Sequence, residues 1–151
     1  MKLASLFSNY FTVRGEMLAA VSDLGPEQLA WKNQAYPRSV GELLVHIAET
    51  EYWWVTVVAL GKEETFDESK FENLATLPDI LKVLDRYYED FTRLLEEADS
   101  DTWDSVFYAV QGRDEKVSQR WLVWHVVEHL ARHRGQIFML MRMQGLEVPV
   151  V

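Results

Sequence analysis

The stretch Ser118-Gln-Arg-Trp-Leu-Val-Trp-His125-Val-Val-Glu-His129-Leu-Ala-Arg-His133-Arg-Gly-Gln136 opens a segment that continues to Gln144, with Gly145 and Pro149 beyond it. Its apolar residues recur at helical spacing. On a wheel turning about 100° per residue from His129, Leu122, Val126, Leu130, Ile137 and Leu140 fall between about +20° and +100°. This predicts a long helix over about 118–144, ended by glycine with proline past it. His133, at about +40°, lies inside the apolar face, His129 lies beside it, and His125, at about −40°, sits on its margin. The inward pair is therefore His129 and His133.

Three earlier segments carry the same period. Leu3, Leu6, Phe7, Tyr10, Phe11, Met17, Leu18 and Val21 predict a first helix over roughly 2–22, broken by Gly25-Pro26. Ser39 followed three residues later by Glu42 reads as a capping box, starting a second helix that runs to Gly61. Thr76-Leu77-Pro78-Asp79 starts a third, which continues to about Glu97. Residues 99–117 lack a clean period, although Val106 to Val110 before Gln111-Gly112-Arg113-Asp114 suits a short extended segment and turn. The acidic connection from Lys62 to Glu72 reads as a solvated loop. Four amphipathic segments without strand alternation predict an all-α, antiparallel four-helix bundle, with residues 1–151 forming one domain.

Composition limits the function. Of 151 residues, 48% are hydrophobic, enough to build a core and to exclude disorder over most of the length. Asp and Glu outnumber Lys and Arg by 24 to 15, a formal charge of −9 that opposes a polyanion, so no nucleic-acid partner is expected. No apolar run approaches the ~20 residues of a membrane span and the N-terminus lacks a signal-peptide pattern, so the expectation is a soluble cytoplasmic protein without a membrane partner. Cysteine is absent, which excludes disulfides, thiolate metal sites and a thiol nucleophile of the chain's own. Any thiol chemistry must bring its thiol.

All four histidines fall in two helices. His129 and His133, at i and i+4, stand one above the other, the arrangement that lets two imidazoles reach one ion. In the second helix His46 sits at an apolar–polar boundary, with Leu43, Thr50 and Trp53 within about 60° of it. If these helices are neighbours, three neutral imidazoles converge and leave positions open for water or substrate, the pattern of a catalytic metal. The plain alternative is three hydrogen-bonded core histidines.

His129-Leu-Ala-Arg-His133-Arg134-Gly135-Gln136 resembles the H-x-x-x-H-R-G-Q signature of the DinB/YfiT-like superfamily, bacterial four-helix metalloproteins. Arg38-Ser-Val-Gly-Glu-Leu-Leu-Val-His46-Ile-Ala-Glu-Thr-Glu51 is similar to that family's second helix, and Leu29-Ala-Trp31 extends the likeness. Glu128 departs from the pattern, where relatives often carry Asn. The resemblance implies that His46, His129 and His133 are metal ligands, and it implies a homodimer. It also implies zinc or nickel, with iron or manganese next, and for some relatives a transferase that joins a low-molecular-weight thiol such as bacillithiol, mycothiol or glutathione to an electrophilic small molecule. Glu49, one turn from His46, is then the candidate to orient a ligand or relay a proton, its plain alternative being a solvated charge. Gln136 and His125 are candidates to support the ligands, with Gln136 hydrogen-bonding an imidazole, and Arg134 reads as an interhelical or dimer ion-pair residue. Two other readings stand beside the enzyme: a non-catalytic metal-binding or stress-response protein, and a helical interaction module with structural histidines. Tyr52-Trp53-Trp54 and Trp121 to Trp124 run around their helices, which suits packing under the connections or a subunit interface.

Overall fold

In the computed structural model, which describes residues 1–150, the predicted first helix is two: α1 (Leu3–Leu6) and α2 (Ser8–Val21), interrupted at Phe7. The interruption lets the Phe7 ring meet both Trp103 and Trp124, at centroid distances of 6.0 and 5.0 Å. Beyond Gly25, where a break was expected, a short α3 (Pro26–Ala30) forms, with proline in the first turn and Gln28 Oε1 accepting from the Gly25 N–H.

Ser39 opens α4 (Val40–Glu51) with the predicted reciprocal bonds: Glu42 N–H donates to Ser39 Oγ at 3.2 Å, and Glu42 Oε2 accepts from the Ser39 N–H at 2.8 Å. Gly41 lets α3 lie close, since a Cβ there would come within 3.3 Å of the Leu29 carbonyl oxygen. The helix then widens. Residues Tyr52–Ala59 are π-helical, and Gly61 follows in the left-handed region. Each π turn holds more residues than an α turn, so the side chains after Glu51 rotate off the stripe set by α4. Tyr52, Trp54, Val55, Thr56 and Val57 are consequently all buried.

The connection to the next helix is not a plain solvated loop. It carries a 3₁₀ turn at Glu68–Phe71, and Phe66 and Phe71 pack on Tyr52. The Tyr52 hydroxyl donates to Glu63 and accepts from the Asp67 N–H. Thr76 caps α5 (Leu77–Glu97) by accepting from the Asp79 N–H. Inside residues 99–117 the expected extended segment is β1 (Phe107–Tyr108), paired antiparallel with β2 (Val117–Ser118). Ser118 caps α6 (Gln119–Met143), which ends in a Schellman motif at Gly145: Leu146 N–H bonds the Met141 carbonyl and Gly145 N–H that of Arg142.

The long helices α2, α4, α5 and α6 form a four-helix bundle. Trp54 meets Trp121 and His125, Thr50 meets His129, and His46 meets His133, so α4 and α6 run antiparallel. Leu3 N–H bonds the Ala98 carbonyl, which joins the start of α1 to the end of α5. The core includes Tyr10, Met17, Leu43, Leu44, Ile47, Leu84, Phe91, Leu95, Leu122 and Ile137. Among the described residues no helix is long and apolar enough to cross a membrane.

One ionic cluster lies within this core. Arg14 of α2 and Glu51 of α4 are both buried, 3.8 Å apart; Tyr10 donates its hydroxyl to Glu51, and the Arg14 guanidinium lies 4.1 Å from the Tyr88 ring. Burial pushes the Glu51 carboxyl above its ordinary value, against the opposing pull of the Arg14 charge and the Tyr10 hydroxyl. An acid raised on folding contributes stability below its unfolded value, and that contribution is lost as pH climbs through the raised one. Arg14→Met strands the carboxyl and is expected to cost about 3–5 kcal/mol in urea unfolding. The loss should deepen as pH rises above the raised value, where the native carboxyl ionises beside Arg14, and Arg14→Met/Glu51→Leu should recover most of it.

Candidate metal centre

Helix register builds the centre. His46 lies midway along α4, and His129 and His133 occupy successive turns of α6 directly across from it. The Nε2 atoms of His46 and His129 are 3.1 Å apart, as are those of His129 and His133, and all three donor atoms lie within 4.8 Å of one another. Two nitrogens each about 2.05 Å from one tetrahedral zinc would be about 3.3 Å apart, so the two 3.1 Å spacings suit a shared ion. His129 and His133 are 6% and 7% exposed, while His46 is half-buried.

The neighbours of the other ring nitrogens set which way the lone pairs point. His46 Nδ1 lies 3.3 Å from Glu49 Oε2, an acceptor, so the proton belongs on Nδ1 and Nε2 is bare. His133 Nδ1 donates in the same way to Gln136 Oε1, which bares its Nε2. Two lone pairs therefore face His129 Nε2, which has at most one proton to share between them and Thr50 Oγ1, 3.1 Å away. The Nδ1 of His129 is buried without a partner, so neither tautomer satisfies the cluster. A cation among the three nitrogens would resolve it, and a site of neutral nitrogen donors suits a divalent transition metal.

Burial keeps the imidazoles of His129 and His133 neutral. Burial pushes His129 from 6.5 down to about 3, with His133 and then His46 adding to the effect. Burial also lowers His133, against its bond to Gln136. Neutral imidazole is the form that ligates.

The other candidates divide. Glu49 stands against His46, and Gln136 against His133 rather than His129. His125 is outside the cluster: its ring stacks on Trp121 at 4.8 Å and 8°, with its centroid 5.9 Å from that of His129. Arg134 pairs with Glu16 of α2 at 2.7 Å, and Glu128 with Arg132 along the outer face. Sequence reading did not single out Thr50 as a partner of His129, although Thr50, four residues after His46, shares its helical face. It also gave no role to the wall of a cavity of about 620 Å³ that reaches His46 and Glu49 from the α3 side.

The model of the DinB family matches residues 1–151. Among solved structures, a DinB-like protein from Bacillus cereus is 18% identical, with a TM-score of 0.73, covering 96% of this chain and 94% of its own. A DinB-like protein from Bacillus subtilis, YjoA, is 20% identical, with a TM-score of 0.69 and coverages of 95% and 94%. At these identities the likeness shows the fold. Among curated proteins none matches.

In metal-free chain, ring-nitrogen NMR should find His129 still neutral at a pH where an unfolded histidine is protonated. The unfolded state binds the extra proton below 6.5, so stability should fall as pH drops from 6.5 towards 3. A His129 ring that titrates near 6.5 would contradict this.

Proposed function

The chain belongs to the DinB family, and we propose that it binds one divalent metal ion through His46, His129 and His133 and joins a low-molecular-weight thiol to an electrophilic small molecule. The observation that carries the reading is the meeting of three Nε2 atoms that their own protons cannot satisfy. Zinc or nickel suits this donor set first, with iron or manganese next. The bound ion would lower the pKa of a coordinated thiol and hold it as thiolate. A chain without cysteine takes that thiol from outside.

The residues around the imidazoles do the positioning. Glu49 holds the proton at His46 Nδ1, which keeps Nε2 bare, and from the cavity wall its carboxylate is placed to accept the proton released by an entering thiol. Gln136 fixes the His133 ring by the bond at Nδ1, the role of groups that orient metal ligands. His125, stacked on Trp121, closes the centre on the side of the π-helical turn. The reading includes a cytoplasmic protein in the stress response and a homodimer joined through the exposed rings of Trp121 and Trp124, since aromatic side chains are enriched at interfaces.

Elemental analysis after dialysis against mixed divalent ions should find about one ion per chain, lost in both His129→Ala and His133→Ala. Gln136→Ala should weaken affinity by about 10–100-fold. Turnover in a screen of thiols against electrophiles should disappear in His133→Ala. Bound metal without turnover would favour the non-catalytic reading, and folded chain without metal would overturn both. In light scattering, Trp124→Glu should shift a native dimer to monomer.

A further inference from the structure

Arg38, next to the capping serine of α4, lines the cavity that reaches His46 and Glu49, and the residue is half-buried. Arg14, Arg86, Arg120, Arg132 and Arg134 each meet a carboxylate; among the described residues Arg38, Arg93, Arg113 and Arg142 meet none, and of these four only Arg38 lines the cavity. The other cation of the cavity wall, Lys32, is already neutralised by Glu42 at 2.6 Å. Arg38 is therefore a fixed positive charge, held partly away from water, with nothing of the chain's own to balance it.

We infer that Arg38 anchors the carboxylate of a small monoanionic ligand whose other end reaches the three histidines. The inference rests on the proposed thiol chemistry for the reacting end and names the class of molecule that enters. A guanidinium presents a planar fork that pairs with both oxygens of a carboxylate, and partial burial strengthens that pairing. The charge balance selects a ligand that enters with one negative charge: Arg38 supplies one uncompensated cation, and the thiol end enters neutral, its proton passing to Glu49 beside His46. Leu29, Val45, Leu74 and Ile80 line the cavity and cover a short carbon chain. His46 lies about 9 Å along the rise of α4 from its first residue, Val40, and Arg38 stands two residues before that start. The reach of the two side chains shortens that gap to the length of an acid of a few carbons.

The test uses cobalt-loaded full-length chain, native and Arg38→Gln, titrated with γ-mercaptobutyrate and with its neutral amide. The cobalt absorption bands report thiolate arriving at the metal without need of turnover. Native chain should bind the acid at least about 10-fold more tightly than the amide. Arg38→Gln should level the two while keeping its cobalt and its affinity for the amide, and Arg38→Lys should retain part of the preference. Equal binding of acid and amide by native chain, or a preference that survives in Arg38→Gln, overturns the inference. Calorimetry of butyrate and butyramide on chain without added metal separates the two levels of argument. If cobalt does not bind, the metal reading fails, and butyrate heat that vanishes in Arg38→Gln still supports the arginine. No butyrate heat in native chain, or inorganic phosphate bound more tightly than butyrate, counts against it.

Discussion

The antiparallel register of α4 against α6 is the constraint on which the rest of the molecule depends. It brings His46 against His129 and His133, Thr50 against His129, and Trp54 against Trp121 and His125. A slip of one helical turn would carry His46 about 5.4 Å along its partner, far outside the distance at which three nitrogens meet. The same helix carries Glu51 five residues on, facing α2 rather than α6, where it pairs with Arg14. Polar groups buried on two faces of one helix tie it to both neighbours. Each group meets its partner residues only in the native register, and a misplaced charge or imidazole would be buried away from them.

The helix is delimited by features of different strength. The capping box at Ser39 fixes its start by two local hydrogen bonds, independent of the remainder of the fold. Its far end is not a stop but a change of pitch. From Tyr52 the π-helical turn redirects the side chains, placing Tyr52 among Phe66, Phe71 and Tyr87 while Trp54 turns to Trp121. The stretch Tyr52-Trp53-Trp54, which a single α-helical stripe cannot bury, is accommodated by this rotation.

These contrasts explain what the sequence disclosed. Caps and glycine stops are local chemistry, so the starts at Ser39, Thr76 and Ser118 and the end at Gly145 were legible within a residue or two. The histidine arrangement was legible because i, i+4 spacing and the apolar face are properties of one helix, His46 sat on the matching boundary of the second helix, and the motif likeness pointed to the same three. The break at Phe7 was not legible, because it follows from contacts with Trp103 and Trp124 about a hundred residues away. Nor was the burial of Arg14. A lone arginine beside an apolar stripe reads as exposed, since charged residues are seldom buried unless paired, and its partner Glu51 belongs to another helix. Arg38 escaped for the opposite reason: its interest lies in having no partner, a property that only the assembled cavity wall reveals.

The charge of the centre bears on what it would attract. Three imidazoles supply nitrogen donors without negative charge, and Glu49 is the carboxylate hydrogen-bonded to one of them. A divalent ion in the proposed site would keep most of its charge, with the Arg38 guanidinium adding to the local positive field. The chain as a whole carries −9, yet this end of the bundle interior would hold an excess of positive charge that only an incoming ligand can balance. A thiolate at the ion and a carboxylate at Arg38 answer that excess at two points, and a ligand carrying both is fixed in position as well as in charge. A neutral molecule of the same shape would gain the apolar wall but neither ion pair. In the proposed reading, selectivity for charged thiol ligands would follow from ligating nitrogens that bring no negative charge of their own.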